Sequence, residues 1–144
     1  MAIINKLILL TILCNLCIIV GVGHGAGPLG IVEFMYLGEF LSGERVFNFS
    51  GSYADRLPVC AVAALFGQLV LLGACFWRGA VKTGLVYTGL AILLFSFIYL
   101  IIDFRASSLD SFSLLLGVPF LYASVRLVVC LLTVRRRERL TWMK

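Results

Sequence analysis

Four apolar runs, at residues 7–23, 57–77, 83–102 and 110–134, leave this chain few ways to fold. A helix needs about 20 apolar residues to cross the hydrocarbon core of a bilayer, and each run is close to that length. At 62% hydrophobic content and a mean hydropathy of +1.09, the chain lies well outside the range of roughly 45–50% apolar residues typical of soluble domains. The expected fold is an all-α integral membrane protein, one domain of 144 residues whose core is shared between helices and lipid. Four spans form a transmembrane helix bundle with an extracytoplasmic cap at 24–56 and a basic tail at 135–144.

The first run follows Lys6 and carries no charge. A positive start, an apolar stretch and small residues near Gly23 and Ala26 would also suit a signal peptide. The run is at the long end for that role and small residues continue beyond it, so a retained first helix is expected. Asn15 sits inside it, where an amide needs a partner on a neighbouring helix. The second run lies between Arg56 and Arg78, with Pro58 in its first turn, where a missing N–H costs nothing. The third lies between Lys82 and Asp103. The fourth follows Ser107-Ser108-Leu109-Asp110, a capping-box spacing, and is interrupted by Pro119 and Arg126.

Charge orients the spans. Lys6, Arg78, Lys82 and the tail, which includes Arg135, Arg136, Arg137, Arg139 and Lys144, fall on one side and, less Glu138, make +7. Glu33, Glu39, Glu44, Asp55, Asp103 and Asp110 on the other side, less Arg45, Arg56 and Arg105, make −3. Basic loops mark the cytoplasmic face, so both termini are expected inside a plasma or bacterial inner membrane. The net charge of +5 thus reads as an orientation signal rather than a nucleic-acid surface. The basic tail is expected to meet anionic lipid of the inner leaflet. The short link at 78–82 makes the second and third spans antiparallel neighbours, with Ala63 and Gly67 facing Ala80, Gly84 and Thr88 as small-residue ridges.

The cap begins Gly-rich and continues into a predicted helix at 28–41, too short to span and suited to an interfacial or re-entrant position. Pro28 and Ser42-Gly43 supply its start and stop. Glu33 and Glu39 are expected to bracket a solvent face while Ile31, Phe34, Met35, Leu37 and Leu41 bury against lipid or the bundle. Residues 46–53 read as a short extended segment or hairpin. In topology this resembles the claudin-type tetraspans, which have a larger first outer loop and a small second one. Their Trp/Cys loop signature is missing, so the resemblance implies architecture alone.

No motif supplies chemistry. Gly25-Ala26-Gly27-Pro28-Leu29-Gly30 matches a dinucleotide fingerprint literally, but that fingerprint requires a βαβ unit, and a flexible exit from the first span fits better. Cys14 and Cys17 form a C-x-x-C in mid-membrane with no facing thiol pair, so all five cysteines read as small apolar residues. His24, the single histidine, rules out a multi-histidine metal site within one chain, and no cofactor or metal is expected. Asn48-Phe49-Ser50 fits a glycosylation acceptor. Arg126 breaks the apolar rule of its span, and is read either as snorkelling toward the inner headgroups or as partnered by Asn15, Gln68, Tyr87 or backbone carbonyls. The candidate binding residues are His24, Glu33, Glu39, Asp55, Arg56 and Arg126. The expected function is a non-catalytic accessory or interaction subunit, binding another membrane protein through its cap or a bundle face. The alternative is a small oligomeric transporter or channel, which would need polar residues along a path; Asn15, Gln68, Ser96 and Arg126 are few and scattered.

Overall fold

The computed structural model describes residues 2–22, 25–43, 53–102 and 108–142, with residues 2, 22, 108–110, 112 and 135–142 described by backbone alone. In chain order the elements are α1 (Ala2–Leu16), β1 (Ile19–Val22), β2 (Gly25–Pro28), α2 (Leu29–Ser42), α3 (Tyr53–Ala74), α4 (Gly79–Leu100), α5 (Ser108–Leu116) and α6 (Val118–Trp142). Among the described residues the regular structure is helical apart from one small antiparallel hairpin. Three stretches, Tyr53–Ala74, Gly79–Leu100 and Ser113–Val134, are long and apolar enough to cross a membrane, and Ile3–Leu16 is a shorter apolar helix.

The first apolar run is therefore not one helix. It is helical only to Leu16, and β1 takes over at Ile19. The local cause is side-chain shape: Ile18, Ile19, Val20 and Val22 are β-branched, and such side chains lose rotamer freedom against a helical turn but fit a strand. β1 pairs with β2 in the register Ile19↔Pro28 to Val22↔Gly25. The Leu29 N–H donates to the Ile18 carbonyl at 2.7 Å, which closes the hairpin and starts α2.

α2 occupies the predicted place. Pro28 is its N-cap in extended conformation, and Gly43 ends it at φ 70 with its N–H donating to the Phe40 carbonyl. A left-handed C-cap of this kind is readily available to glycine. One side chain departs from the expected faces. Leu29, Val32 and Glu33 are buried, whereas Ile31, Phe34, Met35 and Leu41 are exposed, open to lipid or a partner. The solvent-face expectation for Glu33 fails, because its carboxyl is enclosed by the neighbouring helix and bonded to Gln68.

α3 and α4 form the closest helix pair. Gly67 and Gly89 lie against each other: a Cβ on Gly89 would sit 3.0 Å from the Gly67 carbonyl oxygen and 2.8 Å from Leu71 Cγ. Ser96 Oγ donates to the Cys60 carbonyl at 2.6 Å, and Arg56 Nη1 to the Tyr99 carbonyl at 3.2 Å. The expected ridge on the α4 side is corrected. Ala80, Gly84 and Thr88 are exposed, and Val86, Gly89 and Leu93 form the packed stripe, one residue out of step with the four-residue repeat read from the sequence.

The fourth run bends at Gly117, between α5 and α6 and two residues before Pro119. A Cβ on Gly117 would lie 2.2 Å from Phe97 Cζ of α4, so glycine admits the Phe97 ring there. Phe97 meets Phe120 edge-on at 5.7 Å. α6 continues without a break through Arg126 and packs against α1 along Ile4, Ile8 and Ile12 on one side and Phe120, Leu127 and Leu131 on the other.

Candidate functional site

The first forty residues form a unit that doubles back along α3. Asn15, at the end of α1, accepts a hydrogen bond on Oδ1 from Gln68 Nε2 at 2.8 Å. Six residues later, the Gly21 N–H donates to the Tyr53 hydroxyl at 3.2 Å. β1 thus reaches the first turn of α3 through the Tyr53 hydroxyl. At the start of α2, Gly30 is close enough to Leu16 at the end of α1 that a Cβ would meet Leu16 Cδ2 at 2.8 Å.

An extended strand inside a bundle exposes its free edge, and backbone groups without water need partners. α3 and α5 supply them. Ser113 Oγ donates to the Ile19 carbonyl at 3.2 Å, the Tyr53 hydroxyl accepts from Gly21, and the two hydroxyls lie 3.5 Å apart. The opposite edge of the hairpin carries Pro28, across from Ile19, which has no N–H to leave unsatisfied.

At the level where α1 ends and α2 begins, three polar side chains converge. Gln68 Nε2 donates to Asn15 Oδ1 and to Glu33 Oε1, both at 2.8 Å, which uses both of its protons. Asn15 is 1% exposed, Gln68 3% and Glu33 0%. Glu33 Oε2 is buried with no hydrogen-bond partner among the described residues. Oε1 already accepts from Gln68, so Oε2 is the oxygen left with room to carry a proton. The expectation that Asn15 finds a partner on a neighbouring helix holds, and the partner is Gln68.

The other candidate residues do not join this cluster. Arg56 is buried against the end of α4 through the Tyr99 carbonyl. Glu39 is half-buried two turns along α2, and Asp55 is exposed in the first turn of α3. Arg126 is exposed on α6 and lies over its own helix, with Nη1 3.4 Å from the Tyr122 hydroxyl and its guanidinium 5.9 Å from that ring. It thus turns back one turn toward the α6 N-terminus and reaches none of Asn15, Gln68 or Tyr87. His24, Asn48 and residues 46–52, where an extended segment was expected, lie outside the described residues. Arg135, Arg136, Arg137 and Arg139 continue α6 as backbone.

Cys14 is half-buried and Cys17 exposed, and none of the five cysteines is in a disulfide. Among the described residues no group of His, Cys, Asp and Glu could hold a metal ion. Gly25 and Gly27 lie in a strand of an antiparallel hairpin, and the parallel βαβ context of a dinucleotide site is not present among the described residues. Sequence reading named Asn15, Gln68 and Glu33 separately but did not bring them together. The signal that could have done so is the cluster of β-branched residues after Asn15, which turns the chain back on itself.

No protein-family model matches this chain, and neither does any curated protein or any solved structure.

Proposed function

We propose that this chain is a small ion-handling membrane protein, a transporter or channel unit, in which the Glu33 carboxyl binds and releases a proton inside the bundle. It crosses the membrane four times with both termini cytoplasmic, and α1 together with β1 makes the first crossing. α2 is a re-entrant helix whose N-terminus starts inside. This is the second of the two readings raised by the sequence. What favours it is Glu33 Oε2, a buried carboxyl oxygen without a partner, held at a break between two half-length elements. Ionisable groups within a bundle are costly to keep and mark ion or proton pathways. Broken helices that meet at a polar side chain near the middle of the bilayer are the recurring way membrane proteins build such sites.

Reconstituted vesicles with an internal pH dye and a clamped membrane potential test this. The wild-type chain should dissipate an imposed pH gradient faster than protein-free vesicles, and Glu33→Gln, isosteric with the protonated acid, should return the rate to background. Equal rates for the wild type and Glu33→Gln would remove the proposal and leave Glu33 as a structural hydrogen-bonding group. The accessory-subunit reading is favoured by a different observation, the exposed apolar face Ile31, Phe34, Met35 and Leu41 of α2. A stoichiometric membrane partner retained in mild detergent, and lost on changing Phe34 and Met35 to alanine, would establish it.

A further inference from the structure

α4 and α6 touch at one end and part at the other. Phe97 and Phe120 hold them together near Gly117. Toward the end that carries the start of α1 and the α3–α4 turn, they separate. The gap is an open wedge of about 720 Å³ lined by Ile3 and Ile4 of α1, by α4 from Gly79 to Tyr87, and by Cys130, Leu131 and Val134 of α6. Its walls are mostly apolar, with one charged group, Lys82, at 5% exposure. The Lys82 ammonium donates to Asn5 Oδ1, a neutral acceptor. Among the described residues no acid lies beside it, and an ammonium has three protons to place.

A buried cation with one neutral partner leaves a deficit of negative charge at the mouth of an apolar wedge. Its position adds to this, since Lys82 is in the first turn of α4, where free N–H groups favour an anion. Along α4 the wedge runs from Gly79 to Tyr87, about 12 Å, close to the ~15 Å depth of one leaflet of a ~30 Å hydrocarbon core. An apolar slot one leaflet deep with a cation at its rim has the form of an amphiphile site. We infer that the wedge binds one anionic phospholipid, with its phosphate on Lys82 and an acyl chain between α4 and α6. The inference rests on the membrane orientation proposed above and not on Glu33. It also differs from a diffuse attraction of lipid to the basic tail, because it names one buried lysine and a chain-sized slot.

The test is thermal unfolding of the purified full chain in a zwitterionic detergent, titrated separately with phosphatidylglycerol, phosphatidylcholine and glycerol 3-phosphate. Phosphatidylglycerol should stabilise the protein saturably, with the other two having little effect at equal concentration. Lys82→Gln should weaken the phosphatidylglycerol effect by about fivefold or more, the scale of one basic residue at a lipid surface, and Lys82→Arg should retain it. Gly84 lines the wedge with no atom within 4 Å of where its Cβ would lie, so Gly84→Leu starts its side chain in open space and occupies part of the slot. With folding checked by its unfolding temperature without lipid, that variant should lose the lipid effect. Equal stabilisation by phosphatidylcholine, a full effect from glycerol 3-phosphate, or an unchanged phosphatidylglycerol response in Gly84→Leu would each overturn the inference. So would a response that survives Lys82→Gln and vanishes when the tail arginines become glutamine.

Discussion

Gly89→Ala is the most direct test of how α3 and α4 meet. The new methyl would sit 2.8 Å from Leu71 Cγ, 2.9 Å from Leu71 Cδ2 and 3.0 Å from the Gly67 carbonyl oxygen. Comfortable carbon contacts lie at about 3.5–4.0 Å, so Leu71 must change rotamer or the helices must move apart by roughly half an ångström. The Gly67 oxygen is backbone and cannot turn aside. Overpacking of this kind costs about 1–3 kcal/mol, while replacing glycine by alanine within a helix returns about 0.5–1 kcal/mol. Gly84→Ala supplies the control, because it carries the same helix gain with no atom within 4 Å. Subtracting the two cancels the propensity term and leaves a difference of about 1–3 kcal/mol, with Gly84→Ala the more stable. Gly67→Ala, whose Cβ would meet Leu93 Cγ at 3.0 Å and the Gly89 oxygen at 3.2 Å, should fall between them. Denaturant-induced unfolding in mild detergent measures all three. If Gly84→Ala costs as much as Gly89→Ala, the helices pack through the Ala80, Gly84 and Thr88 face and the α3–α4 interface described above is wrong.

Two further outcomes follow from the doubled-back unit and its orientation. Tyr53→Phe removes the acceptor for the Gly21 N–H and should destabilise the hairpin by about 1–3 kcal/mol, read as faster amide exchange at Gly21; unchanged exchange would show that this edge has another partner. Single cysteines at Ser50 and at the C-terminus of an otherwise cysteine-free chain should label from opposite sides of the membrane with an impermeant thiol reagent, and labelling from one side would reverse the proposed topology.

The three long apolar helices are legible in the sequence, because length and hydropathy mark them, whereas hydropathy alone does not show that the first run breaks into α1 and β1. The start and stop of α2 are also legible: Pro28 and Gly43 act through their own backbones, so their effect is local. What the sequence conceals depends on which side of an element is wet. Glu33 is expected on a solvent face because a carboxylate favours water, but it is enclosed and bonded to Gln68 of α3, a placement that its wheel position does not reveal. The ridge on α4 was misread for a related reason. Ala80, Gly84 and Thr88 recur at the right interval, yet spacing alone does not say which small residues face a neighbour. The Asn15, Glu33 and Gln68 cluster needs contacts across 35 and 53 residues of chain, for which the β-branched residues after Asn15 are the one local hint.

The borrowed edge of β1 also governs how the protein is made. The Ile19 carbonyl receives its hydrogen bond from Ser113, 94 residues further along the chain. At synthesis rates of about 5–20 residues per second, that partner arrives roughly 5–20 s after Ile19. α1 alone is about 22 Å long, short of a full crossing, so under the proposed four-span topology the N-terminal segment has no complete resting place in the membrane during that interval. It enters as an unfinished piece, gains Tyr53 and Gln68 when α3 follows, and closes its last edge only when α5 has emerged. A ribosome that stalls before residue 113 would release a chain with an open strand edge, and such an edge is a template for pairing with any other strand within reach.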